Sequence, residues 1–143
     1  MRTIGILYIT LSLMHPLLAQ SPTERPIYIG GMGKFIGGLG VHGELPINNN
    51  FTLRGEAGWL FFILDVNAGV GYTLLPAIEL YSAFHFTLMS FYTRSVAYGP
   101  ELGIDFRITD VFHIEGGAIF LMNEEATQWV PNIGITLNIP LRP

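Results

Sequence analysis

The sequence predicts an all-β protein: an eight-stranded antiparallel up-and-down transmembrane β-barrel, preceded by a signal peptide. Three observations predict it. Runs of about ten residues alternate apolar side chains with small or polar ones, as a strand with two unlike faces does. Charged residues make up only 13% of the chain, against roughly 25% in ordinary soluble domains. Hydrophobic residues make up 50%. Yet beyond the N-terminal segment no stretch of about 20 residues lacks polar interruption, so spanning helices are excluded.

Residues 1–19 read as the signal peptide and 20–143 as one barrel domain. Arg2 is followed by the apolar stretch "IGILYITLSLM" and then by "HPLLAQ", a basic start, an apolar core and a small residue at a cleavage site. Leu17 and Ala19 would precede a cut before Gln20. The rival reading is an uncleaved anchor, but the stretch is short for a spanning helix and is interrupted by His15-Pro16. The chain has no cysteine, which excludes disulfides and a lipid anchor on a cysteine. A small exported chain without disulfides must be held by a good core or by a membrane. The net charge of −4 argues against nucleic acid as a partner.

The first strand is "PIYIGGMGKF" (26–35), whose faces the pattern does not resolve. In "GGLGVHGEL" (37–45), Gly38, Gly40, His42 and Glu44 oppose Leu39, Val41 and Leu45. In "FTLRGEAGW" (51–59), Thr52, Arg54, Glu56 and Gly58 oppose Phe51, Leu53, Gly55, Ala57 and Trp59. In "ILDVNAGVGYTL" (63–74), the polar face is Asp65, Asn67, Gly69, Gly71 and Thr73. In "IELYSAFHFTL" (78–88) it is Glu79, Tyr81, Ala83, His85 and Thr87. In 96–108 it is Ala97, Gly99, Glu101, Gly103, Asp105 and Arg107. In 111–121 it is His113, Glu115 and Gly117. In 129–139 it is Asn132, Gly134, Thr136 and Asn138. The connections "PINNN", "LPA" and "TD" have the composition of tight hairpin turns. "MSFYTRS" (89–95) and "MNEEATQ" (122–128) read as longer loops at the opposite end, where "GMGK" (31–34) and "LFFI" (60–63) complete the set.

Outward-facing aromatics fall into two bands when ordered by height along their strands. Phe51, Tyr72, Phe106 and Phe112 lie near the tight-turn end. Trp59, Phe86, Tyr98, Phe120 and Trp129 lie near the loop end. Two membrane interfaces require two such girdles. Alternation by itself also fits a soluble barrel with its faces reversed, enclosing an apolar ligand. The low charge content and the glycine-rich, lysine-poor polar face count against that alternative.

The polar face would then line a lumen just wide enough to be filled by side chains. Buried charges there must be paired and hydrogen-bonded. The expected ion-pair network sets Arg54 and Arg107 against Glu44, Glu56, Glu79, Glu101, Asp105 and Glu115, with His42, His85 and His113 nearby. Arg54, Glu79, Asp105 and Arg107 fall toward the turn end, and Glu56 and Glu115 nearer mid-barrel. The acids outnumber the arginines, so a weakly cation-permeable lumen is an alternative. The histidines lie on different strands and are expected to be network members. No metal, cofactor or phosphate-loop motif is identified.

The segments "NAGVGYTL", "GIDFRITDVFHIEGG" and "PNIGITLNIPL", with the pattern over nearly all of 26–140, resemble the small eight-stranded outer-membrane barrels of the OmpA/OmpX type. The resemblance implies a bacterial outer membrane as the location. It implies outer-membrane lipid and the barrel-assembly machinery as partners, a monomer, and a structural or surface-interaction role. Barrels of this size also include lipid-modifying enzymes that use a His-x-Ser pair on the lipid-facing wall. This chain has no such pair. Its nearest approach, His85 and Thr87, is assigned to the lumen, so no catalytic activity is expected.

Overall fold

The computed structural model describes residues 26–90, 94–124 and 126–141. The segment 1–19 read as a signal peptide lies outside the described residues. Eight strands form: β1 (Ile27–Lys34), β2 (Gly38–Pro46), β3 (Phe51–Leu60), β4 (Ile63–Leu75), β5 (Ile78–Ser90), β6 (Arg94–Arg107), β7 (Phe112–Met122) and β8 (Thr127–Leu141). Each pairs antiparallel with the next, and β1 pairs with β8 from Ile27–Leu141 to Lys34–Gly134, closing the barrel. Closure leaves no strand edge, so the ladder satisfies the backbone from neighbour to neighbour. The ladder is not regular throughout. Where β4 meets β5 the register shifts between Thr73 and Leu75. Between β6 and β7 the pairing passes from Tyr98–Met122 to Glu101–Ile119, skipping Pro100, which has no N–H to give.

The faces follow the alternation, and they are inverted relative to a soluble protein. Leu39 is 75% exposed, Ile133 64% and Leu102 62%, while Glu79, His85 and Asp105 are fully buried. Apolar side chains on the outside and charged ones inside suit a cylinder bathed in hydrocarbon. The protein is therefore a transmembrane barrel, and the soluble alternative with reversed faces fails.

Two expectations about the connections are corrected. The segment 31–34 is not a loop: Gly31, Met32, Gly33 and Lys34 all belong to β1, paired with β2 and β8. Met32 and Lys34 are buried inward, which holds the strand extended. The loop end is also not marked by long loops. β5 and β6 stay paired as far as Ser90–Arg94, and β7 and β8 as far as Met122–Thr127. The ladders extend into segments whose mixed polarity reads as loop.

Glycines make room for the lumenal side chains. A Cβ at Gly103 would lie 2.4 Å from Tyr81 Cζ, and one at Gly117 would lie 2.7 Å from Glu101 Oε1. Gly116, next to Gly117 on the opposite, outward phase of β7, would meet nothing within 4 Å. Gly103→Val should therefore destabilise the barrel by ~1–3 kcal/mol through overpacking. Gly116→Ala should stay within about 0.5 kcal/mol. Urea unfolding of both variants in lipid vesicles measures the difference, and equal midpoints would show that the lumen yields freely.

Candidate functional site: a charged lumen

The alternation turns one polar residue in every two inward, so all eight strands contribute to the lumen. Arg54 on β3 reaches across it. Its Nη1 donates to Glu79 Oε1 at 3.3 Å and to Asp105 Oδ2 at 3.4 Å, and its Nη2 donates to Glu115 Oε1. The guanidinium lies over the Tyr81 ring, 4.5 Å from the centroid. It thus ties β3 to β5, β6 and β7 across the interior. Planar guanidinium chemistry suits this position, because its fixed fork of donors reaches several carboxylates at once.

Lys34 on β1 is the second cation. Its Nζ lies 2.6 Å from both carboxylate oxygens of Glu56 and also pairs with Glu115 Oε2. Glu56 accepts further bonds from Asn67 Nδ2 at 2.6 Å and faces His42 Nδ1 at 2.9 Å. The other ring nitrogen of His42 lies 3.0 Å from Glu44 Oε1. Glu115 is therefore shared by Lys34 and Arg54, which joins the two cation centres into one network.

Toward the loop end a separate group forms around His85. Its Nδ1 is 2.9 Å from Asp65 Oδ2 and its Nε2 2.5 Å from Glu101 Oε2. Thr87 Oγ1 donates to Asp65, and Glu101 accepts from Tyr81 Oη and Asn132 Nδ2, both at 3.0 Å. At the turn end Arg107 Nη2 is 2.7 Å from Glu79 Oε2 and 3.7 Å from Glu44 Oε2. Its side chain is 17% exposed, so it caps the mouth. His113 Nδ1 lies 3.2 Å from Asp105 Oδ2.

The structure thus brings Arg54, Glu56, Glu79, Asp105, Arg107 and Glu115 into one connected set and places Glu101 in the His85 group. Lys34, Asp65, Tyr81 and Asn132 join them without having been named as ion-pair partners. For Lys34 a signal existed: an excess of acids on the polar face requires another cation. Among the described residues, Glu44, Glu56, Asp65, Glu79, Glu101, Asp105 and Glu115 are buried against Lys34, Arg54, Arg107 and three histidines.

Two groups bring three ligand-type atoms within 4.8 Å of one another: His42, Glu56 and Glu115, and Glu44, Asp105 and His113. In the first, the Lys34 ammonium bridges Glu56 and Glu115, where a cation would sit. In the second, Arg54 already pairs with Asp105 and Arg107 approaches Glu44.

On the outer wall the aromatic residues pair across strands. Phe51 and Tyr72 are register partners with ring centroids 5.2 Å apart. Phe120 and Trp129 are partners at 4.8 Å, and Phe86 pairs with Tyr98. Trp59, Phe106 and Phe112 also face outward, Phe112 partly covered.

No family model matches the sequence, and no curated protein matches it. Solved structures do. The crystal structure of Ail, the attachment invasion locus protein of Yersinia pestis, has a TM-score of 0.50 at 15% identity, over 80% of this chain and 97% of that one. The structure of Ail in a phospholipid bilayer nanodisc gives 0.52 at 13% identity, over 81% of this chain and 100% of that one. The fold is that of the small eight-stranded outer-membrane barrels. The N-terminal β-barrel domain of Pseudomonas aeruginosa OprF is also similar, with a TM-score of 0.49 at 11% identity over 80% of this chain and 98% of that one.

Arg54 is the test of the lumen. Its loss leaves Glu79, Asp105 and Glu115 facing one another without the guanidinium. Breaking a buried pair from one side costs about 3–5 kcal/mol. Arg54→Met should lower barrel stability by that amount in urea unfolding. Arg54→Met combined with Glu115→Leu should recover part of it, and a single substitution with no effect would show that water already screens the network.

Proposed function

We propose that this chain is an integral barrel of a bacterial outer membrane, with a structural or surface-interaction role and a lumen closed by ion pairs. The carrying observation is the unbroken chain of charge contacts across the interior, from Lys34 through Glu115 to Arg54 and on to Glu79 and Arg107. On this reading these long side chains fill the cross-section where a pore would run. The likeness to Ail, named for attachment and invasion, supports a surface role. Outer-membrane lipid and the assembly machinery are the proposed partners, and the monomer the proposed state.

The reading includes no catalysis. His85 and Thr87 both turn onto Asp65 inside the lumen, away from membrane lipid. The excess of lumenal acids favours the second reading, a small cation-permeable pore. Two measurements separate these. Fractionation should recover the protein in the outer membrane, with an unboiled sample migrating apart from a boiled one on a gel. Planar bilayers should then stay silent over many insertions. Steady cation currents would establish the pore, and recovery in the soluble fraction would sink both readings.

A further inference from the structure

At the loop end the β3–β4 tip lies beside the last rungs of β5 and β6. The β5–β6 ladder runs on past its Phe86–Tyr98 rung through Leu88–Val96, Met89–Ser95 and Ser90–Arg94. The β3–β4 hairpin follows it: Leu64 pairs with Leu88, Ile63 with Met89, and the Ser90 N–H donates to the Phe62 carbonyl at 2.8 Å. Trp59 pairs with Leu64, Leu60 pairs with Ile63, and Phe61-Phe62 makes the turn. Between the β3–β4 tip and the end of β5 there is a cavity of about 280 Å³, lined by Leu60, Phe61, Phe62, Ile63, Met89 and Ser90. Ser90 is its one polar lining residue.

The chemistry of this tip is wrong for water. Two-residue hairpin turns take Gly, Asn or Asp where φ must be positive. Here Phe61 holds φ at 50°, a region in which a bulky side chain is strained. Its ring is 79% exposed, and Phe35 on the neighbouring β1–β2 tip is 67% exposed. The β7–β8 connection is built oppositely, with exposed Asn123 and Glu124, and Asn123 Oδ1 accepting the Ala126 N–H at 2.6 Å. Trp59 adds a second sign. An interfacial tryptophan commonly turns its N–H toward the wet side. This one donates to the Phe61 carbonyl at 2.5 Å, so it asks nothing of water.

We propose that the β3–β4 tip is seated in hydrocarbon, and that the cavity beside it holds an acyl chain of a lipid in the loop-side leaflet. The cavity is continuous with the exposed lipid-facing side chains Leu39, Trp59 and Leu64. It offers no charge to a headgroup or a peptide. The inference rests on membrane seating, which fractionation tests separately.

The chain has no cysteine, so single cysteines report cleanly. Phe61→Cys and Glu124→Cys are placed in lipid vesicles, and barrel closure is checked by heat-dependent migration. A membrane-impermeant maleimide should modify Glu124→Cys at least tenfold faster than Phe61→Cys. Both should react equally in urea. Nitroxides on the same cysteines should collide mainly with oxygen at 61 and with a water-soluble nickel chelate at 124. Equal maleimide rates in vesicles would place the tip in water and overturn the proposal. Protection at 61 without oxygen collisions would mean that protein, not lipid, covers it, and would overturn it too.

Discussion

A strand surrounded by hydrocarbon has no water to bond its amides, and the rest of this structure depends on that constraint. Each N–H and C=O must find its partner on a neighbouring strand. A flat sheet always leaves two edges unmet, so β1 must return to β8. Once the sheet is closed, the strand's period of two divides every segment into a wall and a filling. The wall must be apolar, and the polar half of the sequence has nowhere to go but inward.

Putting charge inside a narrow cylinder is hazardous, because each ion gives up its water on entering. The interior answers with sharing. Glu115 serves both Lys34 and Arg54, Glu79 serves both Arg54 and Arg107, and Glu56 meets Lys34, Asn67 and His42. Such a network gains when its contacts form together, and removing one member strands several others. The glycines are the complement of this arrangement. Tyr81 lies over Arg54 because Gly103 and Gly117 leave the space its ring occupies.

Direction was legible in the sequence; partnership was not. The spacing in "TLRGEAG" is enough to send Arg54 and Glu56 to one side, and the same parity places His113, Glu115 and Gly117. It cannot say that Arg54 reaches Glu115, sixty-one positions away, because that contact depends on how closure brings β3 opposite β7. Lys34 was obscured for another reason. In "GGMGK" both faces contain glycine, so the alternation has no contrast and the segment reads as a turn. Loop lengths misled similarly. Met89, Ser90, Arg94 and Ser95 mix polar with apolar residues, yet the ladder continues through them, since backbone pairing is indifferent to side chains at an edge between lipid and water. The exposed Phe61-Phe62 tip was visible as letters but carried no meaning until its exposure and turn geometry were known.

On the proposed reading of a closed lumen, the barrel meets its surroundings through the outer wall and the connections at its ends. The rim then becomes the variable part of the molecule. Its polar half, at β7–β8, is chemically suited to water and to soluble surfaces. Its apolar half, at β1–β4, is suited to lipid. A cylinder that presents those two chemistries on different sides of one rim has a defined seating in the bilayer. The β7–β8 connection is thereby held clear of the lipid while the Phe61 side is drawn into it.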